Sequence, residues 1–268
     1  MEITLLGTGG ADGIPGLFAS DRVSEHARQH GGKDIRTRSA ALVDDVLKLD
    51  FGPDTWAQCR QFGVCAEDWQ ALLLTHDDDD HLAVNELQYC LYPFVDRDRL
   101  PFTVFGNGHC LKKITDQYPD WPLDLVLTTS FHTFGFCEYR ITPIAANHAP
   151  PQDAHNFLIE RDGRTLLYAT DTGIWAERTW RFLEGIRVNL LVIECTEGAI
   201  PTPYNGHLDV DECAAVVDRL RRQGTLAPDA KVVTTHHAHT GELTHDELDD
   251  RLRRYGIQVG YDGWKSEV

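Results

Sequence analysis

The segment from residue 76 to residue 81 has the residue types and spacing that best fit chemistry. It reads His76-Asp77-Asp78-Asp79-Asp80-His81 and follows the apolar run Leu72-Leu73-Leu74 almost directly. A solvated acidic loop would explain four consecutive aspartates, but it would not call for histidine at both ends. Neutral imidazoles and carboxylates are standard ligands of Zn, Mn and Fe. In a tight loop, residues i and i+2 can bind one ion while residues i+4 and i+5 bind a second, so we predict a metal site here.

Three further candidate ligands follow apolar runs elsewhere in the chain. His148 follows the run from Ile141 to Ala146, Asp171 follows Tyr168-Ala169-Thr170, and His236 follows Val232-Val233-Thr234-Thr235. Taken singly, each is more often a polar group that caps a strand than a metal ligand. An α/β scaffold gathers its site residues at the carboxyl ends of strands. Four such positions together therefore predict one metal centre.

The elements that must position these residues are short strands and amphipathic helices. The strand-rich halves of the chain indicate an α/β fold with a two-sheet sandwich, without a GxGxxG dinucleotide motif after the first strand. Residues 40–50 and 156–169 are predicted hairpins. The other predicted strands are residues 2–7, 70–75, 102–105, 138–145, 189–195, 231–235 and 257–261. The predicted helices are residues 53–62, 81–92, 109–117, 175–184, 208–223 and 243–254.

Composition and charge narrow the classes of partner. The 268 residues, 42% of them hydrophobic, suffice for one sizeable core, so we expect a single domain over residues 1–268. The formal net charge of -17 disfavours long nucleic acids, because an acidic surface repels phosphate backbones. Seven scattered cysteines without a CxxC pair fit a reducing compartment. We find no leader-like segment and no membrane-spanning apolar run, so we expect a cytoplasmic protein without a membrane partner.

The order of the candidate ligands resembles the metallo-β-lactamase superfamily. Its signature is HxHxDH, then a single His, a single Asp and a final His, which is matched by Leu74-Thr75-His76-x-Asp78-x-Asp80-His81, His148, Asp171 and His236. The opening residues 6–15 and the ending residues 259–263 resemble the branch that contains the phosphoribosyl cyclic phosphodiesterase and, more distantly, ribonuclease Z. The resemblance implies an αββα sandwich, with two mixed β-sheets flanked by helices, and it suggests a homodimer.

The resemblance also implies two divalent metal ions, with Zn, Mn or Fe as candidates. The first ion would be held by His76, Asp78 and His148. The second would be held by Asp80, His81 and His236, with Asp171 bridging both. His207 matches the histidine that serves as general acid in the phosphodiesterase branch, and we count it with Asp80 as catalytic. Asp209 would orient His207, and the alternative for His207 is a surface histidine beside a helix start.

Two departures from the superfamily pattern change the expectation. Asp78 stands where HxHxDH has its middle histidine, so Asp78, Asp80 and Asp171 place three carboxylates around two ions. A more anionic site favours harder metals such as Mn or Fe over Zn, as in the flavodiiron proteins, or it leaves the first site weak. Residues 16–40 contain no cysteine, whereas the cyclic phosphodiesterase has a structural zinc site there. We therefore do not expect His239 to hold a structural metal.

These observations predict hydrolysis of a small phosphodiester, cyclic ones included. A hydroxide bridging the metals would attack phosphorus, and His207 would protonate the leaving oxygen. One alternative is a lactonase or thioesterase on the same fold, for which His207 would matter little. Another is a degenerate metal-binding protein without catalysis, in which Asp78 marks a lost site. Ribonuclease activity on tRNA is disfavoured, because the sequence has no insertion rich in Lys and Arg.

Weaker candidates surround these positions. Asp50, in Leu49-Asp50-Phe51-Gly52, resembles the Asp-x-Gly that ends an early strand in the superfamily, and we predict that it supports the metal loop by hydrogen bonds. Three histidines are candidates for holding ligand rings, and three basic residues for meeting a substrate phosphate: His155, His237 and His239, and Lys33, Arg36 and Arg38. We interpret Trp121, Trp175 and Trp180 as core or pocket wall.

Overall fold

A computed structural model of the chain describes residues 1–96 and 102–268, and seven of the described strands form a first sheet. In chain order they are β1 (Glu2–Gly7), β2 (Ala40–Val43), β3 (Leu47–Leu49), β4 (Ala71–Leu73), β5 (Thr103–Gly106), β6 (Asp124–Leu127) and, from the end of the chain, β14 (Lys265–Glu267). Their spatial order is β14-β1-β2-β3-β4-β5-β6. The pairs from β3 to β6 are parallel and the others antiparallel, so this sheet is mixed.

The other seven described strands form a second mixed sheet. They are β7 (Phe134–Phe136), β8 (Tyr139–Ala145), β9 (His155–Arg161), β10 (Arg164–Ala169), β11 (Val188–Glu194), β12 (Leu226–Thr235) and β13 (Gln258–Val259). Their spatial order is β13-β12-β11-β10-β9-β8-β7. The pairs from β10 to β13 are parallel, and the hairpins β7-β8, β8-β9 and β9-β10 are antiparallel.

Helices flank both sheets. They are α1 (Arg22–His30), α2 (Thr55–Phe62), α3 (Val84–Leu87), α4 (Gly108–Gln117), α5 (Glu177–Leu183), α6 (Val210–Arg222) and α7 (His245–Leu252). Short 3-10 helices cover Gly32–Asp34, Ala66–Asp68, Gln88–Cys90, His239–Gly241 and Arg253–Tyr255. None of the helices in the described ranges is both long and apolar enough to cross a membrane.

The sheets pack face to face because successive side chains of a strand point to opposite sides. Leu73 of β4 belongs to the cluster between the sheets, together with Phe157 and Leu190 of the second sheet. Its neighbours Leu72 and Leu74 belong to the cluster under α2, α3 and α4. A third cluster lies between the second sheet and α5, α6 and α7. Each fully buried leucine contributes about 2 kcal/mol of hydrophobic stabilisation.

The predicted strands and hairpins are confirmed, while several elements at the edges of the fold were not predicted. The unpredicted elements are α1, β6, β7 and β14. Strands β6, β7 and β14 are short edge strands whose side chains are half-buried or exposed, so they lack the apolar alternation that identifies a strand. The helix predicted over 81–92 is observed as the four-residue α3 followed by a 3-10 helix.

The carboxyl ends of the central strands meet at one edge of the sandwich. Strands β4, β10, β11 and β12 all run toward this edge, and β8 also does so, because it is antiparallel to β9, which is antiparallel to β10. Backbone hydrogen bonds join the sheets there, among them those from His155 N to Thr75 O and from His237 N to Thr8 O, each 2.8 Å long. Polar residues placed just after these strands are therefore brought together.

Candidate metal centre

The candidate ligands come from both sheets. After β4, the chain enters residues 76–82, which we call the metal loop. Strands β8, β10 and β12 lead to His148, Asp171 and His236, all at the same edge of the sandwich. These ligand side chains are buried or half-buried, and the structure brings all seven into two adjoining clusters.

The first cluster contains His76, Asp78, His148 and Asp171. One ligand atom each from His76, His148 and Asp171 lies within 4.8 Å of the other two. Asp78 Oδ2 lies 3.5 Å from His76 Nε2 and 3.4 Å from His148 Nε2. Asp78 thus directs a carboxylate oxygen toward the same point as the two imidazoles.

The second cluster contains Asp80, His81 and His236, again with ligand atoms within 4.8 Å of one another. Asp80 Oδ2 lies 3.2 Å from His81 Nε2 and 3.6 Å from His236 Nε2. Asp171 also reaches this cluster, with Oδ2 3.0 Å from His81 Nε2 and Oδ1 3.1 Å from His236 Nε2. Asp171 therefore lies against both clusters, in the place where a bridging ligand would be.

The electrostatics of the centre are dominated by carboxylates and imidazoles that stabilise each other's charge. Burial would raise the pKa of Asp171, but His236 and His81 hold that pKa well below its usual range. Burial also opposes the charge on Asp80, whose pKa is nevertheless lowered by His81 and His236. Despite burial, Asp171, Asp80 and Asp50 raise the pKa of His81 well above its ordinary value. The carboxylates thus attract cations, and a divalent ion that binds here would displace protons from the imidazoles.

The residues present fit divalent metal ions. His76 Nε2 is buried without a hydrogen-bond partner, which costs about 1–3 kcal/mol for a polar group in a protein interior. A metal ion at the first cluster would offset that cost by accepting the nitrogen lone pair. All donors in both clusters are imidazole nitrogens or carboxylate oxygens, the set used for Zn, Mn and Fe.

Hydrogen bonds to Nδ1 hold the histidine rings in the orientation that a metal requires. His81 Nδ1 donates to Asp50 Oδ2 at 2.7 Å, and His76 Nδ1 donates to Thr75 Oγ1 at 2.9 Å. Because Nδ1 carries the proton in each ring, the lone pair of Nε2 is free to face the centre. Asp50, fully buried, also accepts from Thr75 N and Thr75 Oγ1, so it supports the metal loop in the way the sequence predicted.

The other two ligand histidines are held in the same way. His236 Nδ1 donates to Thr196 Oγ1 at 2.9 Å, and His148 Nδ1 donates to Gly206 O at 3.1 Å. Thr196 was not identified from the sequence, since a lone threonine after a strand carries no distinguishing signal. All four rings thus present Nε2 to the clusters.

The backbone is bent at three of these residues. Asp50, Asp171 and His236 have φ values of 58°, 46° and 54°, in the left-handed region that non-glycine residues rarely adopt. Such conformations cost of order 1–3 kcal/mol each and persist where the surrounding structure fixes them, typically at functional sites. Here each bend occurs where the chain leaves a strand and turns a side chain toward the centre.

His207 lies beside both clusters and is held by a buried carboxylate. Its Nδ1 donates to Glu194 Oε1 at 2.8 Å, and its ring lies 4.9 Å from the ring of His148 and 5.4 Å from that of His236. One ligand atom of His207 also lies within 4.8 Å of atoms of Asp171 and His236. Burial lowers the pKa of His207, but Glu194 outweighs burial and raises the pKa to about 9. His207 therefore holds a proton next to the centre.

Glu194, rather than Asp209, orients His207, so the expectation for Asp209 was wrong. Asp209 is the N-cap of α6, where its Oδ1 accepts from Glu212 N at 2.8 Å. Glu194 is fully buried and also accepts from the backbone amides of Thr172 and Leu208. One signal could have identified Glu194: it is a carboxylate at the end of the otherwise apolar strand β11.

The remaining histidine candidates contact other parts of the chain rather than the ligand rings. His239 lies between two carboxylates, with Nε2 2.8 Å from Asp12 Oδ2 and Nδ1 2.8 Å from Asp21 Oδ2. His155 Nδ1 lies 3.4 Å from Ser130 Oγ. His237 Nε2 lies 3.4 Å from Thr234 Oγ1. The interpretation of these three as groups that hold ligand rings was wrong.

The three basic candidates are engaged within the fold. Arg36 is 4% exposed and donates to Thr8 Oγ1 and Gly260 O, so it is not available to a substrate phosphate. Arg38 pairs with Asp54, and Lys33 lies over the ring of Tyr261. The tryptophans match their interpretation: Trp175 and Trp180 are in the core beside the second sheet, and Trp121 packs against the cluster of the first sheet.

Comparisons with known proteins concern the family and the fold of the chain. Residues 48–237 match the family described as a beta-lactamase superfamily domain. No curated protein sequence matches the chain. One similar solved structure is a diphosphatase of the PhnP family, with a TM-score of 0.79 and 19% identity, covering 100% of this chain and 97% of that chain.

Two more solved structures are similar over their whole length. Zn²⁺-bound PqqB from Methylobacterium extorquens has a TM-score of 0.79 and 17% identity, with 100% of both chains covered. YhfI from Bacillus subtilis, a metallo-beta-lactamase fold protein, has a TM-score of 0.74 and 17% identity, covering 100% of this chain and 99% of that one. At these identities the likeness shows the fold, and it confirms the predicted αββα sandwich of two mixed sheets flanked by helices. Since the family match spans more than half of the sequence, the chain belongs to the beta-lactamase superfamily.

Proposed function

We propose that the chain is a metal-dependent hydrolase that acts on a small phosphodiester. The observation that carries the proposal is the position of His207, which Glu194 holds beside two adjoining clusters of metal ligands. Hydrolysis of a phosphodiester needs stabilisation of negative charge and a proton for the leaving oxygen, and the centre has residues for both.

Two divalent ions, with Mn, Fe or Zn as candidates, fit the clusters. His76, Asp78 and His148 would hold the first ion, Asp80, His81 and His236 the second, and Asp171 both. When bound, the ions would supply an activated water and stabilise negative charge on the phosphoryl oxygens. The carboxylates Asp78, Asp80 and Asp171 favour Mn or Fe over Zn in this proposal, because hard cations prefer oxygen ligands.

His207 is assigned as the general acid. With Nδ1 donating to Glu194, the second ring nitrogen is free to donate a proton to a leaving alkoxide. The pKa of about 9 keeps the ring protonated at neutral pH, as a general acid requires. Hydrolysis of a thioester releases a thiolate, a better leaving group than an alkoxide, so it depends less on such a proton donor.

The surroundings of the centre favour a small substrate. The chain carries a formal net charge of -17, and four aspartates of the metal loop and α4 line the cavity beside the centre. Such a surface repels a long phosphate backbone, whereas one phosphodiester group can be neutralised within the centre itself. The likeness to a diphosphatase of the PhnP family is consistent with a phosphate-containing substrate.

The test is a substrate panel with the purified protein loaded with Mn²⁺, Fe²⁺ or Zn²⁺. We expect turnover of an aryl phosphodiester such as bis(p-nitrophenyl) phosphate, and little turnover of lactones or thioesters. His207→Ala should lower kcat for a phosphodiester with a poor leaving group by about 10²–10⁴-fold while the metal content stays unchanged. Asp209→Ala is the matched control, because it removes the cap of α6 two residues away and leaves the His207–Glu194 pair intact.

Three outcomes would contradict the proposal. Turnover of lactones or thioesters with an unaffected His207→Ala variant would point to acyl chemistry. A loss of metal in His207→Ala would make His207 a ligand rather than the acid. No bound metal by elemental analysis, with no stabilisation by any of the three ions, would indicate a protein without this catalytic function.

A further inference from the structure

Lys113, on α4, donates to three oxygens of the metal loop. Its Nζ lies 2.5 Å from Asp77 O, 2.7 Å from Asp79 Oδ1 and 3.2 Å from Leu82 O. An ammonium group has three hydrogens, so these three acceptors saturate it. Two of the three are backbone carbonyls, so these two bonds depend on the path of the backbone and not on which side chains the loop carries.

The two carbonyls lie on either side of three ligands of the loop, Asp78, Asp80 and His81. Asp77 precedes Asp78, and Leu82 follows His81, so Lys113 joins the start of the loop to its end across the ligand-bearing turn. Inside the turn, the amides of His81 and Leu82 donate to Asp78 O. The loop is thus stabilised from inside by the carbonyl of Asp78 and from outside by the ammonium group of Lys113.

Helix α4 presents Lys113 from a fixed position. Its N-cap Asn107 accepts from the amides of His109 and Cys110, and Cys110 and Ile114 are buried in the cluster under the first sheet. The cation is therefore positioned by the packing of the helix and does not depend on a metal being bound. Asp79, which is 98% exposed and ligates nothing in either cluster, supplies the carboxylate that pairs with Lys113.

A role for Lys113 in binding a substrate phosphate fits the surroundings less well. The cavity beside it, about 670 Å³, is lined by Asp77, Asp78, Asp79, His109, Lys112, Lys113 and Asp116. Four carboxylates there outnumber two ammonium groups, and Lys112 already pairs with Asp116. An anion would find no excess of positive charge, and Lys113 has no hydrogen left to donate.

We propose that Lys113 is a positioning residue for the metal centre: by bonding to Asp77 O, Asp79 and Leu82 O it holds the metal loop in the shape that aligns Asp78, Asp80 and His81. The inference rests on the proposed metal site, but its first consequence, an ordered loop, applies to the metal-free protein as well. Groups that orient ligands in this way typically change metal affinity by about 10–100-fold when they are removed.

Charge and geometry act in opposite directions, and the variants separate them. Lys113→Met keeps the apolar stem of the side chain but leaves Asp79 unpaired, which adds negative charge and by itself would attract a cation. The double variant Lys113→Met with Asp79→Asn has the net charge of the wild type, so its affinity reports geometry. Lys112→Met is the matched control, since it removes the neighbouring lysine of the same helix, whose ion pair does not involve the loop.

The experiment measures amide hydrogen exchange of the metal-free full-length variants and their affinities for Mn²⁺ and Zn²⁺ by competition with a chromophoric chelator. We expect the double variant to exchange faster at residues 77–82 and to bind both ions about 10–100-fold more weakly than the wild type. Lys112→Met should match the wild type in both measurements.

Unchanged exchange in the metal loop of the double variant would overturn the inference, whether or not the protein binds metal. Faster exchange with an unchanged affinity would also overturn it, because the loop would then order without serving the ligands. A wild type that binds neither ion would contradict the proposed function, and the exchange data would still decide whether Lys113 orders the loop. Unfolding temperatures of the metal-free variants show whether any change reflects general destabilisation instead.

Discussion

At the scale of single residues, Asp78 separates this centre from the HxHxDH pattern. Its Oδ2 lies within 3.5 Å of the Nε2 atoms of both His76 and His148, so the carboxylate occupies the position of a ligand rather than pointing away. The neighbouring imidazoles of His148 and His76 lower the pKa of Asp78 despite the opposing effect of burial. The first cluster therefore has a charged oxygen donor at neutral pH, which makes a degenerate site the weaker interpretation.

We predict that Asp78→His shifts the metal preference of the protein toward zinc. Imidazole is a softer ligand than carboxylate and carries no charge, so the variant should lose more affinity for Mn²⁺ than for Zn²⁺. We expect the ratio of zinc to manganese bound from an equimolar mixture to rise by about tenfold or more, a free-energy difference of about 1.4 kcal/mol. Elemental analysis after gel filtration measures the ratio.

Asp77→His is the matched control for this prediction. It makes the same substitution one residue earlier, at a side chain that belongs to neither cluster. An equal zinc-to-manganese ratio in Asp78→His and the wild type would show that position 78 does not ligate a metal.

A single functional residue could be predicted from the sequence when it belongs to a recognisable pattern of residue types along the chain. The seven proposed ligands were identifiable because histidine and aspartate follow apolar runs at several strand ends, and the structure gathers them. Glu194 was missed, since a single glutamate at the end of β11 gains its meaning only from the approach of His207, thirteen residues later in the chain. Lys113 was missed because two of its three partners are backbone carbonyls, which leave no pattern in the sequence.

At the scale of elements, the start of α7 is joined to the segment before β2 through a buried pair of basic groups, Arg36 and His245. His245, the first residue of α7, accepts a hydrogen bond at Nδ1 from Arg36 Nη2 at 3.0 Å, and its amide donates to Asp34 Oδ1. Burial, then Arg36 and Lys33, lower the pKa of His245 to about 4, while Asp34 and Asp246 oppose the shift. The ring must therefore stay neutral for α7 to pack in this way.

This contact predicts a pH dependence of stability. Between pH 6.5 and about 4 the unfolded chain protonates His245 while the folded chain does not, so its contribution is present above pH 6.5 and is lost as the pH falls. His245→Gln should remove up to about 3 kcal/mol of that loss in the free energy of unfolding. Urea unfolding of the metal-free protein at pH 4.5 and pH 7 measures the difference.

The exposed His30 of α1 provides the comparison for His245. His30→Gln should leave the pH dependence of the wild type unchanged, because its ring is solvated in the folded chain. If His245→Gln loses as much stability as the wild type between the two pH values, Arg36 does not hold the ring neutral.

Strands and helices could be predicted from the sequence where burial of one face gives the apolar residues a regular spacing. The hairpins β2-β3 and β9-β10 carry apolar runs around Asp44-Asp45 and Asp162-Gly163, and both were predicted. The edge strand β14 has the sequence Lys265-Ser266-Glu267 and pairs with β1 through backbone bonds and the exposed Lys265–Glu2 ion pair, so it has no apolar signal. Helix α1 buries Val23, Ser24 and Ala27, which is too little apolar surface to mark a helix in the sequence.

At the scale of the whole molecule, the metal centre lies across the seam between the two sheets. The first sheet supplies the metal loop, and the second supplies His148, Asp171 and His236. In the metal-free protein, clustered carboxylates and the unpartnered His76 Nε2 lie at this seam. A cation bound there connects both sheets and relieves both costs.

Metal binding should therefore stabilise the entire fold in one transition. A ligand that binds the folded state alone stabilises it by about 2.7 kcal/mol per site at a concentration 100 times its Kd. For a chain of this size that corresponds to a rise in Tm of roughly 5–10 °C per filled site. Calorimetry of the EDTA-treated protein, with Mn²⁺ added stepwise, measures the shift.

Substitutions of one ligand from each sheet test whether both sheets contribute to the stabilisation by metal. His236→Ala, which removes a ligand of the second sheet, and Asp80→Ala, which removes one of the first, should each reduce the Mn²⁺-dependent rise in Tm by about half, because each impairs one site. The exposed His109→Ala should retain the full rise. If only the first-sheet variant lost the rise, or if metal split the unfolding into two transitions, the ion would be bound by one sheet, and the seam between the sheets would not be the origin of the stabilisation.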